Sequence, residues 1–108
     1  MSWRKATAIS GIQVRLHDET LERILRKHSE LIGIEGLILD AVTAPDVVLA
    51  GHGKELLAVR HYEITRLGPK DLVVVYREDK QLIITASLTS NPQKLMRRRS
   101  SVWRRPSK

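Results

Sequence analysis

A chain of 108 residues with a formal charge of +7 and no cysteine is long enough for one domain with its own core. The missing cysteines exclude disulfides, thiolate metal sites, iron–sulfur clusters and cysteine nucleophiles. The charge is concentrated: residues 1–93 hold 12 Lys/Arg against 12 Asp/Glu, whereas 94–108 hold Lys94, Arg97, Arg98, Arg99, Arg104, Arg105 and Lys108 with no acid. A neutral body, 1–93, followed by a basic C-terminal arm, 94–108, is the domain plan this distribution suggests, and the arm is the part drawn to polyanions. No apolar signal core follows the N-terminus, and no run approaches the roughly 18 apolar residues that span a bilayer. The expectation is a cytoplasmic protein without a membrane segment.

In chain order, Ile12-Gln13-Val14-Arg15-Leu16 alternates apolar and polar, as a half-buried strand does. His17-Asp18-Glu19 opens a helix with acids in its first turn. Leu21, Ile24, Leu25, His28, Leu31 and Ile32 follow at helical spacing, which puts His28 on the apolar face. Gly33 is a stop, and Glu35 to Thr43 reads as a second helix ended by Ala44-Pro45. The period then changes to two. Val47–Ala50, Leu56–Glu63, Leu72–Tyr76 and Gln81–Thr89 read as four strands, the last two joined by the tight Glu78-Asp79-Lys80 turn. The predicted fold class is α+β, with N-terminal helices packed on a four-stranded antiparallel sheet. Ser90-Asn91-Pro92 marks a further helix start, and Leu95, Met96, Val102 and Trp103 could form its apolar stripe.

Candidate chemistry is metal-free. The four His (17, 28, 52 and 61) lack ligand spacing, and no glycine-rich phosphate loop precedes a helix. No cofactor is expected. His28 is either a satisfied core histidine or a general acid or base, since imidazole titrates near neutrality. Alternation on the Leu56–Glu63 strand makes Arg60 and Tyr62 neighbours on one face, where a guanidinium could hold a phosphate and a phenol could stack or donate. The bland alternative is a solvated polar face. On the last strand Ile83, Thr85, Ser87 and Thr89 share a face opposite Leu82, Ile84, Ala86 and Leu88. That hydroxyl-lined face could border a cleft and bind phosphoryl oxygens, although threonine favours strands in any case.

Taken together, "VRLHDETLERILRKHSEL" (14–31), "AVTAPDVV" (41–48) and "LVVVYREDKQLIITASLT" (72–89) resemble a phage-associated nuclease family of the barnase–EndoU–colicin–RelE-like superfamily (BECR fold), over about residues 12–90. The resemblance implies metal-independent RNA cleavage, for some members as a toxin. It matches a helical catalytic histidine to His28, a basic or aromatic strand residue to Arg60 or Tyr62, and a last-strand hydroxyl to Thr85 with Ser87 close by. Two positions depart from it: Ser29 stands where the family often has Pro, and Arg23 where it often has a second His, which leaves His28 without that partner. The implied mechanism is attack of a ribose 2′-hydroxyl on the adjacent phosphate. His28 would move the proton, Arg60 would stabilise the phosphorane, and Thr85 or Ser87 would bond a non-bridging oxygen.

The arm points to RNA independently of catalysis. Lys94, Arg97, Arg98, Arg99, Arg104 and Arg105 offer phosphate contacts, and Trp103 could stack on a base. Three readings follow: an endoribonuclease, a non-catalytic nucleic-acid-binding or phage accessory module of the same fold, and an interaction domain whose arm seeks an acidic antitoxin or inhibitor.

Overall fold

The computed structural model describes residues 4–63, 65 and 67–106. Lys108, counted above among the C-terminal charges, lies outside the described residues, as do Met1–Trp3. The elements are β1 (Arg4–Thr7), β2 (Gln13–Leu16), α1 (Asp18–Lys27), a 3-10 turn (Ser29–Leu31), α2 (Gly36–Thr43), β3 (Val47–Ala50), β4 (Leu56–Tyr62), β5 (Lys70–Arg77), β6 (Leu82–Thr89), α3 (Pro92–Arg98) and β7 (Ser101–Arg104).

The architecture is α+β, but the sheet has seven strands in the order β1-β2-β6-β5-β4-β3-β7, which corrects the expected four-stranded antiparallel sheet. The antiparallel block β6-β5-β4-β3 forms its centre. β2 joins the outer edge of β6 in parallel at Arg15 and Leu82, β1 pairs antiparallel with β2, and β7 pairs antiparallel with β3. The sheet is therefore mixed. The physical reason for the extension is that a central four-strand block leaves two rows of unpaired backbone groups, and the two chain ends satisfy them.

One face of the sheet is covered along its length and the other only in part. On one face α1, the 3-10 turn and α2 enclose the main core, in which Leu16, Ile24, Leu31, Ile38, Leu72, Val74, Tyr76 and Ile83 are sealed from water. On the other face Val47, Leu49, Leu57, Val59 and Val73 form a second, smaller cluster against which Leu95 and Met96 of α3 pack. The nearly all-apolar stretch of β5 follows from this double cover.

The C-terminal segment belongs to these layers. The 93/94 boundary falls inside α3, and β7 adds an edge strand, with Trp103 opposite Val48 and its ring packed on the main core. The stripe expected of one helix is thus split. Leu95 and Met96 lie on α3 over the second cluster, while Val102 and Trp103 lie in β7. Among the described residues no helix is long and apolar enough to cross a membrane.

Candidate nucleic-acid interface

α1 ends one turn earlier than its apolar spacing suggests. His28 is its C-cap, with φ −131° and ψ 68°, and its backbone N–H closes the last bond to Ile24 O at 2.7 Å. The departure from helical geometry lets the 3-10 turn carry Leu31 into the core. His28 therefore does not sit on the buried stripe: its side chain is 32% exposed, with Nδ1 3.6 Å from the Glu30 carboxylate.

Arg60 and Tyr62 are neighbours, as alternation predicts, and both are held by α2. Tyr62 OH donates to Asp40 Oδ2 at 2.6 Å. Arg60 Nη1 pairs with the same oxygen at 3.1 Å and donates to Ala44 O, at the C-cap of α2, at 3.1 Å. The guanidinium also lies 5.2 Å from the Tyr62 ring centroid, within cation–π range. Burial first, then the bond to Asp40, pushes the Tyr62 phenol well above its ordinary range. This is a clamp that fastens the end of α2 to β4. Tyr62→Phe should cost about 1 kcal/mol of stability, the usual net worth of one hydrogen bond, read as a lower urea midpoint. An unchanged midpoint would contradict the clamp.

Thr85 and Ser87 lie across the sheet from that clamp. Arg60 registers with Leu72, and Leu72 with Leu88, so these three share the helix-covered face. Thr85 registers with Val75 and Ser87 with Val73, so the hydroxyls share the face covered by α3. A bulge corrects the expected alternation: Tyr76 registers with Ile83 and Val75 with Thr85. Ile84 is the extra residue, and Ile83 turns into the main core instead of joining the hydroxyls. The Ile84 carbonyl accepts from Arg23 Nη2 at 2.6 Å, so Arg23 ties α1 to the bulge. Arg60 and Tyr62 on one face, and Thr85 and Ser87 on the other, do not converge with His28 on one phosphate-sized hollow.

The polar residues that do converge lie between β6 and α3. β6 passes into α3 through Ser90 and Asn91 alone, so helix and strand form a wedge with its apex at that turn. Asn91 caps α3 by accepting from Lys94 N at 3.3 Å. The wedge holds an open hollow of about 310 Å³, at the small end of ligand clefts. Its floor is Val73, Ser87 and Thr89, its apex Asn91, and its helical wall Lys94, Leu95 and Arg98. Lys94 and Arg98 are one turn apart on the same side of the helix, and no carboxylate is among the lining residues. Thr89 belongs to the hydroxyl-lined strand face considered above for phosphoryl contact, whereas Asn91 joins the cleft without having been singled out as a site residue. Its signal was the helix start at Asn91-Pro92 immediately after a hydroxyl-bearing strand, which folds the helix back over that strand.

The C-terminal cations divide into two groups. Arg105 pairs with the Asp46 carboxylate, and Arg99 donates to Ala50 O at 3.4 Å and lies 3.4 Å from His52 Nε2. Both hold β7 and its approach in place. Lys94, Arg97, Arg98 and Arg104 have no ion pair among the described residues. Trp103, half-buried against the main core, offers less of its ring to a base than a free arm would.

A second polar group on the α3-covered face is a histidine bridge. His61 Nδ1 lies 2.9 Å from Asp71 Oδ1 and Nε2 3.2 Å from Glu63 Oε1, while its backbone N–H donates to Asp46 Oδ2 at 2.8 Å. The bond to Asp71, then that to Glu63, raises the imidazole above its ordinary 6.5. A raised folded value means this bonding stabilises fully below about pH 6.5 and fades as pH rises through the folded value. Stability should therefore decline across that window, and His61→Gln should flatten the decline; an identical pH profile in the variant would contradict it. Among the described residues no group of three or more His, Asp or Glu is placed to hold a metal ion.

No protein-family model, curated protein or solved structure matches this chain.

Proposed function

We propose that this domain binds single-stranded RNA through its phosphates, as a cytoplasmic nucleic-acid-binding module, with the β6–α3 wedge as the centre of the contact. One observation carries the reading: Lys94 and Arg98, one helical turn apart, line the same hollow as Ser87 and Thr89, with no acid among the lining residues. Arg97 and Arg104 extend the unpaired positive charge beyond it. Such a site suits a phosphodiester backbone, since cations supply attraction and hydroxyls supply oriented donors.

The RNA-cleavage reading centred on His28 draws less on this geometry, because its four strand residues, Arg60, Tyr62, Thr85 and Ser87, are divided between the two faces of the sheet. Binding without cleavage is the form of the hypothesis that the geometry favours. The test is fluorescence anisotropy of a labelled unstructured RNA with EDTA present, followed by a gel of the same sample. The expected result is salt-sensitive binding, intact RNA, and weakened binding in Lys94→Gln/Arg98→Gln. Binding unaffected by that double substitution would overturn the site, and RNA cut at a rate abolished by His28→Ala would restore the nuclease reading.

A further inference from the structure

The wedge is closed at one end. β6 and α3 are consecutive elements joined by Ser90 and Asn91, and the lining runs from Thr89 and Asn91 at this apex outward to Ser87 and Arg98. A polynucleotide lying through a groove needs an exit at both ends, whereas a chain terminus needs only an entrance. The charge inside points the same way. An internal phosphodiester carries one negative charge, while a phosphomonoester at a chain end carries nearly two at neutral pH and exposes three acceptor oxygens. Two cations one helical turn apart, sharing a hollow with Ser87 and Thr89 and with no carboxylate among the lining residues, match the second better than the first; the Thr89 Oγ1 accepts from Asn91 N at 3.1 Å and keeps its proton to donate.

From the shape and the donor set together we infer that the wedge is an end-recognition pocket, which takes the phosphomonoester terminus of an RNA chain. This rests on the RNA-binding reading above and adds to it which part of the chain enters. Lys94 and Arg98 bind the dianion from the helix side. Ser87 and Thr89 donate from the strand side. Arg97 and Arg104 lie outside the pocket lining and meet diesters further along the chain. The same chemistry is present at a 5′-phosphate and at a 3′-phosphate, and the test separates them.

One uridine-rich RNA is prepared with a 5′-phosphate, with a 3′-phosphate, and with hydroxyls at both ends, and each competes for a labelled RNA at fixed salt. The expected result is that a phosphorylated end binds about tenfold more tightly than the hydroxyl-ended chain, the size of one added charge-assisted contact. An advantage confined to one end identifies the terminus that enters. Within Lys94→Gln and, separately, Ser87→Ala, the three RNAs should bind with equal affinity, the phosphorylated chains having lost more than the hydroxyl-ended one, and thermal melting checks that both variants fold. Equal affinity for all three RNAs overturns the inference and leaves RNA binding standing. An advantage that survives both substitutions overturns its location. Failure to bind any of the three overturns the RNA-binding reading itself.

Discussion

Removing residues 94–108 is expected to unfold the domain or leave it only marginally stable. That segment contributes most of α3 and all of β7. Its loss bares the cluster of Val47, Leu49, Leu57, Val59 and Val73, now covered by Leu95 and Met96. It also unpairs β3 along Val47, Val48 and Leu49 and withdraws Trp103 from the main core. Complete burial of a large apolar side chain is worth about 1.5–3 kcal/mol, so three partly buried ones contribute about 3–5 kcal/mol together. That is a large share of the roughly 5–15 kcal/mol by which small domains are stable. Urea denaturation should show a collapsed midpoint, and exposed apolar surface should bind a hydrophobic dye. A truncated protein with the parental midpoint would show that α3 and β7 are not integral. The consequence for RNA work is direct: truncation confounds charge with folding, so point substitutions are the informative variants.

The second large effect concerns those substitutions. Neutralising Lys94, Arg97, Arg98 and Arg104 together should weaken single-stranded RNA binding by on the order of 10²-fold near physiological salt, since each phosphate contact contributes about 0.7 to the logarithmic salt slope. Neutralising Arg99 and Arg105 should change affinity far less and stability more, because Arg105 is committed to Asp46 and Arg99 to the Ala50 carbonyl and His52. Anisotropy titrations and thermal melts of both variants separate the two effects. The reverse pattern, with the Arg99/Arg105 variant losing RNA and keeping its stability, would mean that the segment leaves the sheet to bind.

The centre of the fold was legible because its physics is local. Alternation in β4, the apolar run of β5 and the short turn before β6 each state a strand, and the acids at Asp18 and Glu19 state a helix start. The strand at Ile12–Leu16 was legible by its alternation and is β2 (Gln13–Leu16), but the two edge strands were not. β1 buries only Ala6 and β7 half-buries only Trp103, so neither carries a periodic pattern. What makes them strands is an open edge supplied by residues distant in sequence. The same limit explains the site. Arg60 and Tyr62 were correctly placed side by side, but Asp40, which holds them both, lies about 20 positions earlier on another element. The bulge at Ile84 turned Ile83 away from the hydroxyls, and period-two reasoning has no signal for an inserted residue. His28 was placed by helical spacing beyond the point where the helix stops.

Salt dependence of RNA affinity tests most directly whether the unpaired cations around the β6–α3 wedge make the contact. Plotting log K against log salt for a single-stranded RNA should give a slope of about −3, the value for four phosphate contacts. A slope near −5, which seven contacts would give, or one indistinguishable from zero would contradict it.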